Sequence, residues 1–212
     1  MKKRLKVIVL IFLAVCFVAV WGFRFHTVNA ETKPTPVKVY KMGEPAPYEK
    51  DFFHFADEGF EGYVLTVKSA KLMTYKEFVE LHGQTEDFIP RNEIRPTYVY
   101  DVEVYIQNHK TEDEMKEIDL VNSRLVSANA SMQVNSRLFG LLYPHLDGNM
   151  AFSLKPNSDM TMHLPYAECE ETSKEKLLSR DYSLLMTMYP TKKMIEIKPN
   201  TMNRRYEIHL GN

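Results

Sequence analysis

The alternation of apolar with polar residues constrains the fold of this chain more than any other feature. Tyr63, Leu65 and Val67 alternate with Val64, Thr66 and Lys68, and Tyr100, Val102, Val104 and Ile106 alternate with Asp101, Glu103 and Tyr105. Successive side chains of a strand point to opposite faces, so a period of two marks a strand with one buried face, whereas a helix repeats every three to four positions. The period recurs in Met160, Met162 and Leu164, in Tyr182, Leu184, Met186 and Met188, in Ile195 and Ile197, and in Tyr206 and Ile208. Shorter strands are expected at 119–128, 133–139 and 150–154. Many short strands separated by turn residues predict an all-β, antiparallel sandwich. Pro156-Asn157 suits the centre of a tight turn and Asp147-Gly148-Asn149 a hairpin. Two short crossover helices interrupt the pattern. Thr74-Tyr75-Lys76-Glu77 is a capping box ahead of Phe78, Val79 and Leu81, with Gly83 as its stop, and Thr172-Ser173-Lys174-Glu175 opens the second helix.

The first 30 residues are of another kind. Lys2, Lys3, Arg4 and Lys6 precede Val7–Phe23, 17 residues without a charge. As a helix that run reaches roughly 25 Å, the short limit for crossing a bilayer core. It predicts a transmembrane or signal helix with its N-terminus cytoplasmic and the remainder extracytoplasmic. Val28-Asn29-Ala30 offers small residues for signal peptidase, but lies well beyond the apolar run. An uncleaved anchor is therefore the reading, with secretion after cleavage at Ala30 as the alternative. The formal net charge of −1 conceals this division: five basic and no acidic residues fall in positions 1–30, leaving 22 basic against 28 acidic, net −6, in 31–212. So acidic a body lacks the clustered cations that phosphate backbones require, and no nucleic-acid partner is expected. The expected organisation is a basic n-region and anchor over 1–30, a proline-rich stalk over 31–58 and a β-domain over 59–212. The stalk carries Pro34, Pro36, Pro45 and Pro47, although Val37–Tyr40 could add an edge strand.

Cysteine and tryptophan usage narrows the class further. Cys16 lies in the apolar run and Cys169 among Glu168, Glu170 and Glu171, so the body has no second cysteine for an internal disulfide. The surrounding carboxylates disfavour the thiolate that a nucleophile needs. The single Trp, Trp21, also belongs to the apolar run, which leaves the body without a Trp platform for sugar rings.

The order of these segments resembles a known group. The stalk, the strand Gly62–Val67, the strand Tyr98–Asn108, Leu154-Lys155-Pro156-Asn157 leading to Leu164-Pro165-Tyr166, and Tyr182–Pro190 leading to Ile195-Glu196-Ile197 are similar to the anchored extracellular domains of unknown function of Firmicutes. Those have a telokin-like, immunoglobulin-like sandwich, distantly like that of the mycobacterial immunoprotective extracellular antigen family. The resemblance covers about 59–198. Asn157 stands where such relatives commonly carry Gly, and the helical insertion at 74–82 is a further departure. What the resemblance implies is an immunoglobulin-like β-sandwich serving as a non-enzymatic module of a Gram-positive cell envelope, without catalytic residues.

Motifs for chemistry are few. His26, His54, His82, His109, His145, His163 and His209 show no metal-ligand spacing, and most are expected at the solvated surface. GxSxG, GxxxxGK[ST] and GxGxxG are absent. Glu112-Asp113-Glu114 and the run around Cys169 lack the spaced oxygens and central Gly of a calcium loop. No cofactor and no catalytic residue is expected. The segment 82–97 has two prolines and no period, a length at which loops tend to be functional or mobile. It holds the candidate partner-binding residues Phe88, Ile89, Arg91 and Arg95, an apolar wedge with two cations on an acidic body. Phe139–Leu146 is too apolar for an exposed loop and is expected in the core. The expected function is a membrane-anchored binding or interaction module, held to the membrane through residues 7–23 and partnered by an envelope or transporter protein. Rival readings are an envelope hydrolase acting on a wall polymer and an accessory or immunity subunit of a transporter.

Overall fold

A computed structural model describes residues 2–31, 34–55, 58, 60–90, 93–111, 117–146, 148–167 and 173–201. The chain divides into two compact units, Met1–Thr35 and Pro36–Asn212. The first is one helix, α1 (Lys2–Glu31). Its span Lys6–Asn29 has a mean hydropathy of 2.6 and none of that stretch is buried. Length and composition thus suit it to act as a membrane anchor or a signal sequence.

The second unit is built mostly from strands. In chain order these are β1 (Val37–Tyr40), β2 (Ala46–Pro47), β3 (Tyr63–Thr74), helix α2 (Tyr75–Leu81), β4 (Tyr98–Asn108), β5 (Ile118–Asp119), β6 (Arg124–Val126), β7 (Ser131–Gln133), helix α3 (Ser136–Leu142), β8 (Ala151–Phe152), β9 (Ser158–Tyr166), helix α4 (Lys174–Leu178), β10 (Tyr182–Thr187), β11 (Lys192–Ile197) and β12 (Asn200–Thr201). One sheet runs β1-β11-β10-β6-β7, a second runs β12-β3-β4-β9 with β2 beside β3, and β5 pairs with β8. All pairings are antiparallel except β1 with β11 and β12 with β3. The inward faces of both large sheets meet in one core that includes Leu65, Val67, Val102, Val104 and Leu164 from one and Leu125, Leu184 and Ile195 from the other. Their alternation along each strand is the period of two that the sequence displays.

The outer face of the β3–β4 pair carries a second, smaller core. Met73 and Val99 point away from the main core and are covered by Phe78 and Val79 of α2, Leu138 and Leu141 of α3, and Ile89. Helix α2 is held by the expected capping box: the Thr74 hydroxyl accepts from the Glu77 amide at 3.2 Å and the Glu77 carboxylate accepts from the Thr74 amide at 2.9 Å. Gly83, at φ 73°, follows the helix where a left-handed residue ends it. Ser173 caps α4, its hydroxyl accepting from the Lys176 amide at 3.3 Å. Asn157 takes a positive φ of 54°, a conformation that Asn tolerates better than most residues.

Three expectations change. The segment read as a stalk belongs to the body from Pro36 onward: β1 pairs along β11, β2 pairs with β3, and Tyr40, Ala46, Tyr48 and Phe53 are buried. Proline did not prevent this because Pro47 occupies a two-residue edge strand and the Pro36 carbonyl accepts from the Lys192 amide at 2.8 Å, roles that need no proline N–H. The strand expected at 133–139 is instead the end of β7 followed by α3, which Asn135 caps through a 3.1 Å bond from the Leu138 amide. The strand expected at 119–128 is broken into β5 and β6. The expected strand at Tyr206–Ile208, the acidic run Glu112–Glu114 and Cys169 lie outside the described residues.

Candidate functional site

The described residues of the segment 82–97 fold onto α2 instead of standing free. Glu86–Phe88 forms a single turn of 3-10 helix. The Tyr75 hydroxyl accepts from the Ile89 amide at 3.0 Å and donates to the Glu86 carbonyl at 3.2 Å. Ile89 is 2 % exposed and fills the second core, so it is an internal anchor and not part of a presented wedge. Arg95 braces the same turn: its Nε donates to the Ile89 carbonyl at 2.6 Å, and its guanidinium lies 5.8 Å from the Tyr75 ring centre. Phe88 is exposed, and Arg91 lies outside the described residues. Phe139 and Leu141 are buried, as expected for 139–146.

The same fold brings together three residues with no local relationship in sequence. His82 is the C-cap of α2, Asp101 lies on the outer face of β4, and His163 lies on the neighbouring strand β9. Their ligand atoms fall within 4.8 Å of one another. Asp101 is 2 % exposed, His82 17 % and His163 32 %, so the carboxylate forms the floor and the imidazoles the rim. His163 Nδ1 lies 2.9 and 3.1 Å from the two Asp101 oxygens. His82 Nε2 is 3.8 Å from the carboxylate, too far for a hydrogen bond, and is buried without a hydrogen-bond partner. Burial alone pushes the Asp101 carboxyl up, but the bond from His163 and the nearby His82 outweigh it and hold the acid below its ordinary value. The bond to Asp101 in turn raises the His163 imidazole above its ordinary value against the opposing effect of burial. The Tyr143 hydroxyl fixes the base of His163 by accepting from its backbone amide at 2.6 Å. His26, His54, His109 and His145 are exposed, in line with the expectation that most of the histidines are solvated; His82 and His163 are partly buried, and His209 lies outside the described residues. Alternation on β4 marks Asp101 as outward-facing, but no spacing in the chain signals that an α2 cap and a β9 residue close over it.

A second feature lies along β7, the last strand of its sheet. A groove of about 1030 Å³ is lined by the consecutive residues from Asn129 to Arg137 and by Arg124, Lys176 and Arg180. Arg124 comes from β6, Arg137 from α3 and Lys176 from α4. Glu93 is the one carboxylate among the described lining residues, and it is ion-paired with Arg137. Among the described residues β7 pairs with no strand other than β6; just beyond it Val134 bridges Tyr166 and the Asn135 amide donates to the Pro165 carbonyl at 2.7 Å.

A family model for a domain of unknown function, DUF5028, matches residues 37–193, from the start of β1 to the second residue of β11. The chain belongs to the DUF5028 family. The match therefore includes β1 and β2, in agreement with their place in the body. No curated protein and no solved structure matches the chain.

Proposed function

We propose that this chain is a non-catalytic binding module of the cell envelope, anchored through the apolar helix with its body outside the membrane, and that it receives an extended acidic segment of a partner protein along β7. The observation that carries this reading is the groove: four cations converge there on a body of net −6 and the lining includes a terminal strand. A terminal strand offers unpaired backbone groups to an added strand, and the surrounding cations select acidic side chains and steer their approach. An immunoglobulin-like assignment for the sandwich, of the telokin-like type, belongs to the same proposal and is supported by two sheets sharing one core.

The test titrates the full chain in detergent with a fluorescent peptide of alternating Val and Glu, read by anisotropy. Binding weakens with added salt, and the Arg137→Glu, Lys176→Glu double variant loses at least about tenfold in affinity. A peptide with proline at alternate positions binds more weakly because it cannot complete a ladder. Absence of binding, or equal binding by the variant, overturns the proposal; polyphosphate that competes fully while proline has no effect assigns the groove to an anionic polymer instead.

A further inference from the structure

The His82–Asp101–His163 cluster has the composition and the convergence of a metal site. Its two imidazoles and one carboxylate are the donor types that bind zinc and its neighbours in the first transition row, whereas calcium and magnesium take oxygen almost alone. Each ligand comes from a separately braced element. His82 follows a capped helix and packs its ring 4.7 Å from that of Phe78, Asp101 is locked in the β4 ladder between Lys71 and Pro165, and the His163 backbone is held by Tyr143. A zinc ion holds nitrogen and oxygen at about 2.0–2.2 Å, which places tetrahedral ligands about 3.3–3.5 Å apart. The 2.9 Å from His163 to Asp101 and the 3.8 Å from His82 to Asp101 straddle that spacing, and the ligand atoms of all three residues lie within 4.8 Å of one another.

His82 Nε2 supplies the second observation. It is a buried nitrogen with no hydrogen-bond partner, and it faces a buried carboxylate. A polar atom left this way carries a desolvation cost that a bound ion would remove. The two imidazole rings meet edge to face with centres 5.4 Å apart. Glu103 and Lys71 flank His163 with opposite charges, so the surroundings neither concentrate nor repel a cation strongly.

We propose that His82, Asp101 and His163 bind one divalent transition-metal ion of the zinc class, through His82 Nε2, His163 Nδ1 and a carboxylate oxygen of Asp101. Three protein ligands leave one tetrahedral position for water or an external donor, reached from the partly exposed His163 side.

Untagged full chain in detergent, stripped with EDTA and titrated with zinc sulfate by calorimetry, tests this. One ion binds per chain, and His82→Gln and His163→Gln each lower affinity by at least about tenfold, while His145→Gln, at an exposed position, leaves it unchanged. No binding, or wild-type affinity in both His82→Gln and His163→Gln, overturns the site. Should either variant lose its near-ultraviolet tyrosine signal and so fail to fold, the wild-type cobalt complex decides. Visible bands of a four-coordinate ion with paramagnetically shifted resonances from two imidazoles support the site, and their absence removes it.

Discussion

The Lys193 ammonium lies 2.5 Å from the Asp51 carboxylate, and both residues are buried. Lys193 stands on the inward phase of β11 with Ile195 and Ile197, a place where alternation predicts an apolar side chain. Its Nζ also donates to the Pro47 carbonyl at 2.7 Å, the Tyr48 carbonyl at 3.2 Å and Glu49 Oε2 at 2.5 Å, while Asp51 accepts from the Thr191 amide at 3.0 Å. One buried cation thus ties the residues after β2 to β11. Removing one member of such a pair leaves an uncompensated charge and costs about 3–5 kcal/mol, whereas an apolar pair of similar volume is often tolerated. Lys193→Met, which leaves Asp51 buried without its cation, is expected to destabilise by that amount in urea unfolding, and the addition of Asp51→Leu to recover at least half. A double variant no better than the single one refutes this account.

Glu49 contributes to the same latch from the surface. The hydrogen bond from Lys193, with its charge, holds the Glu49 carboxyl below its ordinary value near 4.5. A folded-state value below the unfolded one gives stability that is complete above the unfolded value and is lost as pH falls through the folded value. Because Glu49 is 60 % exposed, solvent screening keeps the contribution small. Comparison of the wild type with Glu49→Gln should show a difference in urea midpoint at pH 7 that disappears as the solution is acidified through the lowered range in which the folded-state carboxyl takes up its proton. A difference that persists in acid assigns the effect to packing instead.

The boundary between the two units is open to a direct test by truncation. All twelve tyrosines lie beyond residue 35 and the one tryptophan lies before it, so near-ultraviolet tyrosine dichroism reports on the second unit alone. A chain that starts at Pro36 should keep that signal. One that starts at Asp51 removes Tyr40, Ala46 and Tyr48 from the main core and the acceptors Pro47, Tyr48 and Glu49 from Lys193, and should lose it. Equal signals from the two truncations would restore the stalk reading.

What could be read from the chain follows the range of the interactions involved. β3, β4, β9, β10 and β11 were legible because alternation is a local consequence of the pleat, and α2 because its capping box lies within four residues. Asn157 was legible as a turn residue for the same reason. α3 carried a signal that was passed over: Asn135 ahead of Leu138, Leu141 and Leu142, a cap followed by helical spacing, outweighs the brief alternation before it. The Pro-rich segment misled because proline content describes what a segment cannot do alone, while β1 and β2 are set by edges offered by β11 and β3. The Lys193–Asp51 pair and the His82–Asp101–His163 cluster join residues far apart in the chain, and no local pattern encodes them.

The cap of α2 ties local sequence to the second core. Thr74 Oγ1 accepts from the Glu77 amide and the Glu77 carboxylate accepts from the Thr74 amide, so two backbone donors at the first turn lose their partners if the box is broken. The helix has only seven residues, too few to persist without its cap and its packing of Phe78 and Val79 against Met73 and Val99. Thr74→Ala is expected to destabilise the second unit by about 1 kcal/mol, and Thr74→Ser to leave it nearly unchanged because the accepting oxygen is retained. Amide hydrogen exchange locates the effect: in Thr74→Ala, protection falls first at the Phe78-bonded amide of His82 and at the Gln84 amide, which bonds Val79, while the β3–β4 ladder stays protected. Uniform loss of protection across that ladder would show that α2 unfolds only with the whole sandwich.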